Sequence, residues 1–153
     1  MENEMSKARL QAMAIGGSPD DVEQLFYEAL RRGDLGLLMQ CWAEDEDIVC
    51  ILPGDARKTG AGAVHAAFAT HLSQWGAVTT QQLHRVDSLA SAVHHQLEHW
   101  TAKTPEALPQ RQYRVVTNVF HKTPQGWRMV AHHASLATAD DVAVSLAAPA
   151  TLH

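Results

Sequence analysis

Cysteine is scarce in this chain, with Cys41 and Cys50 the only two among 153 residues. Two thiols cannot form the disulfide framework that stabilises small secreted domains, and we expect both to pack as small apolar groups. The N-terminal segment MENEMSKARLQ is charged and lacks the apolar run of a signal peptide. No stretch approaches the roughly 20 apolar residues of a membrane span. We therefore expect a cytoplasmic protein without a membrane partner.

Lysine and arginine are also few, at 12 against 17 Asp and Glu, so the formal net charge is −5. The basic residues are scattered along the chain, whereas a nucleic-acid surface needs them clustered. This excludes nucleic acid as an expected partner. With 46% hydrophobic and 19% charged residues, the composition is that of an ordinary globular protein. The length fits one domain.

The first half of the chain carries the start and stop signals of three helices. Ser18 and Pro19 begin the first helix and Gly33 ends it. Asp34 caps a shorter second helix, and the third covers about residues 61–75. In each helix, apolar residues recur at the spacing of one buried face. Residues 48–52 form a short apolar run between turn signals, which predicts a buried strand.

After residue 76 the apolar spacing changes from a helical period to alternation, which predicts four long strands at 78–89, 92–103, 112–123 and 127–137. Their connections are short enough for hairpins. The predicted fold class is therefore α+β, with three N-terminal helices packed against a curved antiparallel sheet. We expect residues 1–17 to form a flexible arm without a well-capped helix, 18–137 the domain, and 138–153 a flexible tail.

The last hairpin predicts which residues share a sheet face. A type I turn over residues 123–126, with a bulge at Gly126, places Thr117 opposite His133. His133 then shares a face with Met129, and His132 points to the other side, toward an interface or solvent. Neither face is wholly polar, so both need cover. The helices cover one face, and we expect a homodimer through the outer face.

Three segments resemble the nuclear transport factor 2-like superfamily, which includes ketosteroid isomerase and the SnoaL-like proteins: DDVEQLFYEALRRGDLGLLMQCWAEDE, LPGDARKTGAGAV and TNVFHKTPQGWRMVAHHAS. The likeness covers roughly residues 18–137. It implies a cone-shaped, cystatin-like α+β roll, a mostly apolar cavity between sheet and helices, and frequent dimerisation. It implies no single function, since the fold hosts enzymes, binding proteins and transport adaptors. Similar proteins often carry histidine where this chain has Leu52 and Ala131.

Three residues are candidates for catalysis. His71 lies on the apolar face of the third helix, where it is either a cavity acid or base or a hydrogen-bonded core residue. His133 would bind or deprotonate a ligand if its strand face lines the cavity, and otherwise satisfies backbone groups. Asp55 follows a Pro-Gly turn and is either a general base or a turn former.

Aromatic and neighbouring polar side chains are candidates for ligand binding, although aromatics are also ordinary core material. The candidates are Tyr27, Trp42, Trp75, Thr117, Met129 and Ser135. Histidine is abundant, but His94, His95 and His99 lack a convergent set of three or four ligands, so we expect no metal and no cofactor.

Two functional hypotheses remain open at this point. In the first, the domain binds a small hydrophobic molecule in a mostly apolar pocket, and its chemistry, if any, is proton transfer of the SnoaL-like kind. In the second, it is a non-catalytic dimeric binding or interaction module with a cavity filled by side chains. The residues at 52 and 131 favour the second hypothesis.

Overall fold

A computed structural model describes residues 6–147, with side chains up to residue 143. The elements follow in the order α1 (Lys7–Ala14), α2 (Pro19–Arg32), α3 (Leu35–Gln40), β1 (Val49–Ile51), β2 (Lys58–Thr59), α4 (Ala61–Gln74), β3 (Trp75–Asp87), β4 (Ser91–Ala102), β5 (Arg111–Thr123), β6 (Gly126–Leu136) and α5 (Ala139–Ala147). The predicted α+β fold is confirmed. None of the described helices has the length and apolar character needed to cross a membrane.

The predicted helix signals act as expected in α2. The Ser18 hydroxyl accepts a hydrogen bond from the backbone N–H of Asp21 at 3.1 Å. Gly33 ends the helix at a φ of 67°, a left-handed conformation that favours glycine. Between these residues, the face of α2 that carries Leu25, Phe26 and Leu30 is buried against the sheet.

Helices also form in the predicted arm and tail. Ser6 caps α1 by accepting from Arg9 N–H at 3.1 Å, so the expectation of an uncapped segment is wrong. Met13 of α1 is buried in the core, and α5 occupies residues 139–147 of the predicted tail. The flexibility of both segments stays a prediction, and residues 1–5 and 148–153 lie outside the described residues.

The six strands form one sheet in the order β2-β1-β6-β5-β4-β3. The long strands β3 to β6 pair antiparallel, as predicted from the hairpin connections. The short strand β1 departs from this arrangement by pairing parallel to β6, with Val49 opposite Ala131. This pairing brings the loop after β1 to the same side of the sheet as the end of α4, where the candidate site lies.

The register of the last hairpin is partly as predicted. Thr117 lies opposite His133, as expected, and Val119 lies opposite Ala131. Thr123, however, pairs with Gly126, and the register shifts between Val119 and Phe120, leaving Val130 as the extra residue. The bulge therefore lies inside β6 and not at the turn. It reverses the alternation of side chains along the strand.

This bulge corrects two predictions. Met129 is fully buried on the inner face, on the same side as His132, and does not share the face of His133. His132 is 2% exposed, so its expected position at an interface or in solvent is wrong. His133 and Ser135 are exposed on the outer face.

Aromatic side chains fill the space between the helices and the inner sheet face. Phe26 is fully buried and lies edge-on to Tyr27, Trp42 and Phe68, with ring centroids 5.2 to 6.4 Å apart. Its ring also lies 5.3 Å from that of His132. Because protein cores pack at the density of organic crystals, this cluster holds α2, α4 and β6 at fixed spacings.

We predict that Phe26→Ala lowers the free energy of unfolding by about 3–5 kcal/mol, because it removes a fully buried ring and leaves a cavity. Urea unfolding followed by circular dichroism measures the change. The matched control is Gln24→Ala on the exposed side of the same helix, expected within about 0.5 kcal/mol of the parent. Equal losses in the two variants would contradict the placement of this core.

Candidate functional site

A cleft of about 340 Å³ opens where the end of α4, the start of β5 and the loop after β1 meet. Its lining comprises Leu52, Pro53, Asp55, Thr70, His71, Gln74, Trp75, Gln112 and Arg114. Three predicted site residues, His71, Asp55 and Trp75, come together here. We call this site the Arg114 cleft, because Arg114 is its central charged group.

Arg114 is a buried cation at the base of the cleft, with 2% of its surface exposed. Its guanidinium lies 5.3 Å from the Trp75 ring centroid and 5.1 Å from that of Trp100, in range for cation–π attraction. Its Nε donates to Gln112 at 2.6 Å. Burial lowers the pKa of Arg114 to about 10, so the group stays charged at neutral pH.

The carboxylate of the residue that pairs with Arg114 across the sheet is hydrogen-bonded to other side chains. Glu98 lies directly opposite Arg114 on β4, but its two oxygens accept from Tyr27 Oη at 2.6 Å and Trp100 Nε1 at 2.7 Å. Among the described residues, Arg114 therefore makes no ion pair. Burial is the main cause that raises the pKa of Glu98 above the usual value, opposed by these two hydrogen bonds.

His71 completes the base of the cleft as a neutral donor. Its Nε2 lies 2.6 Å from Arg114 Nη1. Since arginine can only donate, Nε2 is the acceptor and the ring proton is on Nδ1. Burial, with the neighbouring Arg114 charge, lowers the pKa of His71 to about 3. The buried Nδ1 has no hydrogen-bond partner in the described part of the chain.

The mouth of the cleft is more exposed and partly apolar. Asp55 lies 3.7 Å from Lys58 Nζ in an ion pair whose side chains are 44% and 36% exposed. Exposed pairs of this kind contribute little to stability. Leu52, at the position where similar proteins often carry histidine, is 7% exposed and adds an apolar wall. The cleft thus combines cationic and donor groups at its base with apolar groups along its sides.

A second set of buried polar groups lies deeper between α2 and the sheet. The Glu23 carboxylate accepts from Gln96 at 2.9 Å and Asn118 at 3.0 Å, and lies 2.9 Å from His94 Nδ1. Asn118 Oδ1 in turn lies 2.6 Å from His132 Nδ1. These bonds satisfy polar groups that would otherwise destabilise the core, and they tie α2 to β4, β5 and β6.

The other predicted site residues lie outside the cleft. Tyr27 is buried against Glu98, and Trp42 and Met129 belong to the core. His133, Thr117 and Ser135 occupy the outer sheet face, on the side away from the helices. The structure therefore does not bring His133 together with His71.

The cleft residue that sequence reasoning missed is Arg114. It occupies an inward position of β5, where alternation calls for an apolar side chain, and Glu98 does the same on β4. A charged residue at a core position of a strand pattern is itself a signal of a polar site.

One cluster of the described residues has ligand atoms close enough for a metal ion, formed by Asp20, Glu23 and His94 within 4.8 Å of one another. Its carboxylates are already engaged. Arg85 Nη1 donates to Asp20 at 2.8 Å, and Glu23 accepts from Gln96 and Asn118. A bound cation would have to displace Arg85, so we assign this cluster a structural role.

We predict that His132 makes the folded state sensitive to acid. Burial is the largest cause that lowers its pKa to about 3, while the unfolded chain takes up the proton near pH 6.5. The native state is therefore favoured above about pH 6.5, and the free energy of unfolding falls by up to about 1.4 kcal/mol per pH unit as the pH drops below it. His132→Gln should make this slope shallower by about that amount.

Urea titrations between about pH 7 and pH 5 measure the two slopes. The exposed His65 of α4 supplies the matched control, and His65→Gln should retain the slope of the parent. A slope unchanged in His132→Gln would mean that His132 is already protonated in the folded protein.

Comparison with known proteins agrees with this architecture. The sequence model of the SnoaL-like domain matches residues 20–139, and no curated protein matches the chain. A candidate calcium/calmodulin-dependent protein kinase type II association domain from Thiobacillus denitrificans is 29% identical, over 80% of this chain and 98% of that one, with a TM-score of 0.71.

Two further solved structures show the same fold. A candidate dehydratase of the NTF2-like family from Streptomyces avermitilis is 27% identical over 77% of this chain and 92% of its own, with a TM-score of 0.66. A ketosteroid isomerase-like protein from Erwinia carotovora is 13% identical over 78% and 93%, with a TM-score of 0.63, and shows the fold alone. Since the family match covers most of the chain, the protein belongs to the SnoaL-like domain family of NTF2-like proteins.

Proposed function

We propose that this domain binds a small molecule that carries a carboxylate or similar anionic group next to an apolar part, and that the Arg114 cleft is its binding site. The observation that carries the proposal is the buried Arg114 guanidinium, which faces the cleft without an ion-pair partner among the described residues. A buried charge is costly unless it is paired, so an anionic ligand would supply the missing partner.

The donors at the base of the cleft suit a carboxylate. Arginine has five N–H donors in a planar fork, and the bonds to Gln112 and His71 use two of them. The remaining donors allow the two-point contact that arginine makes with carboxylates. The Nδ1–H of His71, another lining residue of the cleft, is buried without a hydrogen-bond partner among the described residues.

The walls of the cleft suit the apolar part of such a ligand. Trp75, Leu52 and Pro53 line it on the way to the mouth, and aromatic walls with a few convergent polar groups are typical of small-molecule sites. A volume of about 340 Å³ lies at the small end of the usual range for such sites. The expected small hydrophobic partner is thus refined to an amphiphilic one.

The geometry favours binding over catalysis. His71 Nε2 accepts from Arg114, and a pKa of about 3 leaves its ring a weak base. A general base needs a free acceptor and a pKa near the working pH, and His71 offers neither. Asp55 is the remaining acid or base candidate in the cleft, at its exposed mouth. Proton transfer by Asp55 is the second candidate function, favoured by the similarity to a candidate dehydratase.

We also propose a cytoplasmic location, because both cysteines are free and free thiols are typical of the reducing cytoplasm. Cys41 and Cys50 are free and buried, and burial is the main cause that raises the pKa of each thiol to about 12. Neither thiol is suited to nucleophilic chemistry at neutral pH, because the thiolate is the reactive form.

The test of the proposed function compares carboxylates with their amides, which have the same shape without the charge. Three acid–amide pairs are compared in thermal-shift and calorimetric titrations: acetate with acetamide, benzoate with benzamide, and phenylacetate with phenylacetamide. We expect at least one carboxylate to bind saturably and to raise the melting temperature, with its amide much weaker. Arg114→Gln should weaken that carboxylate about 10–100-fold, the usual value of a charged hydrogen bond.

Lys122→Gln removes the same charge from the exposed β5–β6 hairpin and serves as the matched control, with affinity unchanged. Asp55→Asn separates the two candidate functions, because it should leave carboxylate binding intact and remove any proton transfer by Asp55. If no carboxylate binds, or if each amide binds as well as its acid, the anion-binding proposal is wrong.

A further inference from the structure

A second cleft, of about 380 Å³, opens between α2 and the edge strand β3. It shares no lining residue with the Arg114 cleft. Two of its lining side chains are the carboxylates of Asp20 and Glu23, and the others are neutral hydrogen-bonding groups. These neutral groups are Gln24, Thr80, Gln81, Gln82 and Gln96. We call this site the Gln96 cleft.

Gln96 of β4 forms the base of the cleft, with 5% of its surface exposed. Its Nε2 donates to the Glu23 carboxylate at 2.9 Å. Because a carboxylate accepts and an amide oxygen cannot donate, this bond fixes which end of the Gln96 amide carries the nitrogen. The other end, Oε1, has no hydrogen-bond partner among the described residues. Since buried polar groups are normally hydrogen-bonded, this oxygen is available to a donor group of a ligand.

The two carboxylates of the cleft already have donors within the protein. Asp20 accepts from Arg85 at 2.8 Å. Glu23 accepts from Asn118 at 3.0 Å, in addition to its bond from Gln96. These carboxylates would repel an anion, and a cation would compete with Arg85 for Asp20. The lining therefore favours a neutral ligand that donates and accepts hydrogen bonds.

Two arginine side chains limit the length of the cleft. At one end, Arg85 of β3 reaches Asp20 in the first turn of α2. At the other end, Arg31 in the last turn of α2 donates Nε to the Val78 carbonyl of β3 at 3.1 Å. At a rise of about 1.5 Å per residue, the helix between these two crossings is roughly 16 Å long. The space between them suits a small molecule and is too short for an extended polymer.

The backbone of β3 adds hydrogen-bonding groups along one wall. Because β3 is the last strand of the sheet, every second residue directs its N–H and C=O away from β4. Val78 belongs to this outward set, since its carbonyl accepts from Arg31. Thr80 follows two residues later in an unbroken register. The Thr80 backbone therefore supplies a donor and an acceptor at the wall that its side chain lines.

We propose that the Gln96 cleft binds a small polyhydroxylated molecule of the size of a monosaccharide or disaccharide. A glutamine amide has both donor and acceptor groups, and a hydroxyl is likewise a donor and an acceptor. Neighbouring hydroxyls of one ligand can therefore pair with the glutamines of the cleft in either direction.

The size and polarity of the cleft agree with such a ligand. A volume of about 380 Å³ lies within the usual range for small-molecule sites. None of the lining residues has an apolar side chain, so a hydrophobic ligand would bury little apolar surface here. The two clefts thus differ in chemistry, because the Arg114 cleft combines a cation with apolar walls.

The proposal is tested by titrating the isotope-labelled full chain with neutral polyols and following its amide NMR signals. The probes are glucose, maltose and myo-inositol. Cyclohexanol serves as the control ligand, because its ring is of similar size and carries a single hydroxyl. We expect at least one polyol to shift the signals of Gln24, Thr80 and Gln96 saturably, and cyclohexanol to leave them unchanged.

Two exposed positions test the site without disturbing the core. Gln24→Ala and Thr80→Val each remove one hydrogen-bonding side chain from the cleft. Each should weaken the bound polyol about 2–10-fold, the usual value of a neutral hydrogen bond. Gln11→Ala, an exposed glutamine of α1, is the matched control and should leave the affinity unchanged. Circular dichroism verifies that each variant is folded.

Three outcomes would overturn the proposal. If none of the three polyols causes saturable shifts, the cleft does not bind this class of ligand. Equal binding of cyclohexanol would show that the hydroxyl groups are not recognised. A folded double variant, Gln24→Ala with Thr80→Val, that binds the polyol as tightly as the unmodified chain would place the binding elsewhere in the molecule.

Discussion

The engagement of the Glu98 carboxylate by Tyr27 and Trp100 is the interaction on which the candidate site depends. Glu98 and Arg114 face each other across β4 and β5, where a buried ion pair would be the simplest arrangement. Because both oxygens of Glu98 already accept strong hydrogen bonds, the Arg114 charge is left to aromatic rings, Gln112 and His71. The cleft is cationic because its nearest acid is satisfied elsewhere.

The same arrangement determines what His71 can do. Burial and, after it, the neighbouring cation disfavour a protonated ring, and the arginine donor occupies the one free acceptor nitrogen. The histidine that sequence reasoning singled out as an acid or base is therefore a donor that accompanies Arg114. This change of role of a helix residue follows from a single residue of β5, 43 positions away.

A bulge of one residue in β6 places the adjacent residues His132 and His133 in different environments. With Val130 as the extra residue of β6, His132 turns into the core beside Asn118, and His133 lies on the outer face of the sheet. Neighbouring histidines thus lie in opposite environments. His132 lies in a core that favours a neutral ring, and His133 is exposed.

Local sequence signals by themselves determined α2, α3, α4, the four long strands and the fold class, because caps, periodicity and turn residues act within a few positions of the chain. They also singled out Asp55, His71 and Trp75 as candidate site residues, whereas the tertiary structure brings these three to one cleft. Tertiary structure alone decided the parallel pairing of β1 with β6, the bulge at Val130 and the unpaired state of Arg114. Each of these depends on which distant residue lies opposite, and hydrogen bonds between distant strands leave no mark on local spacing.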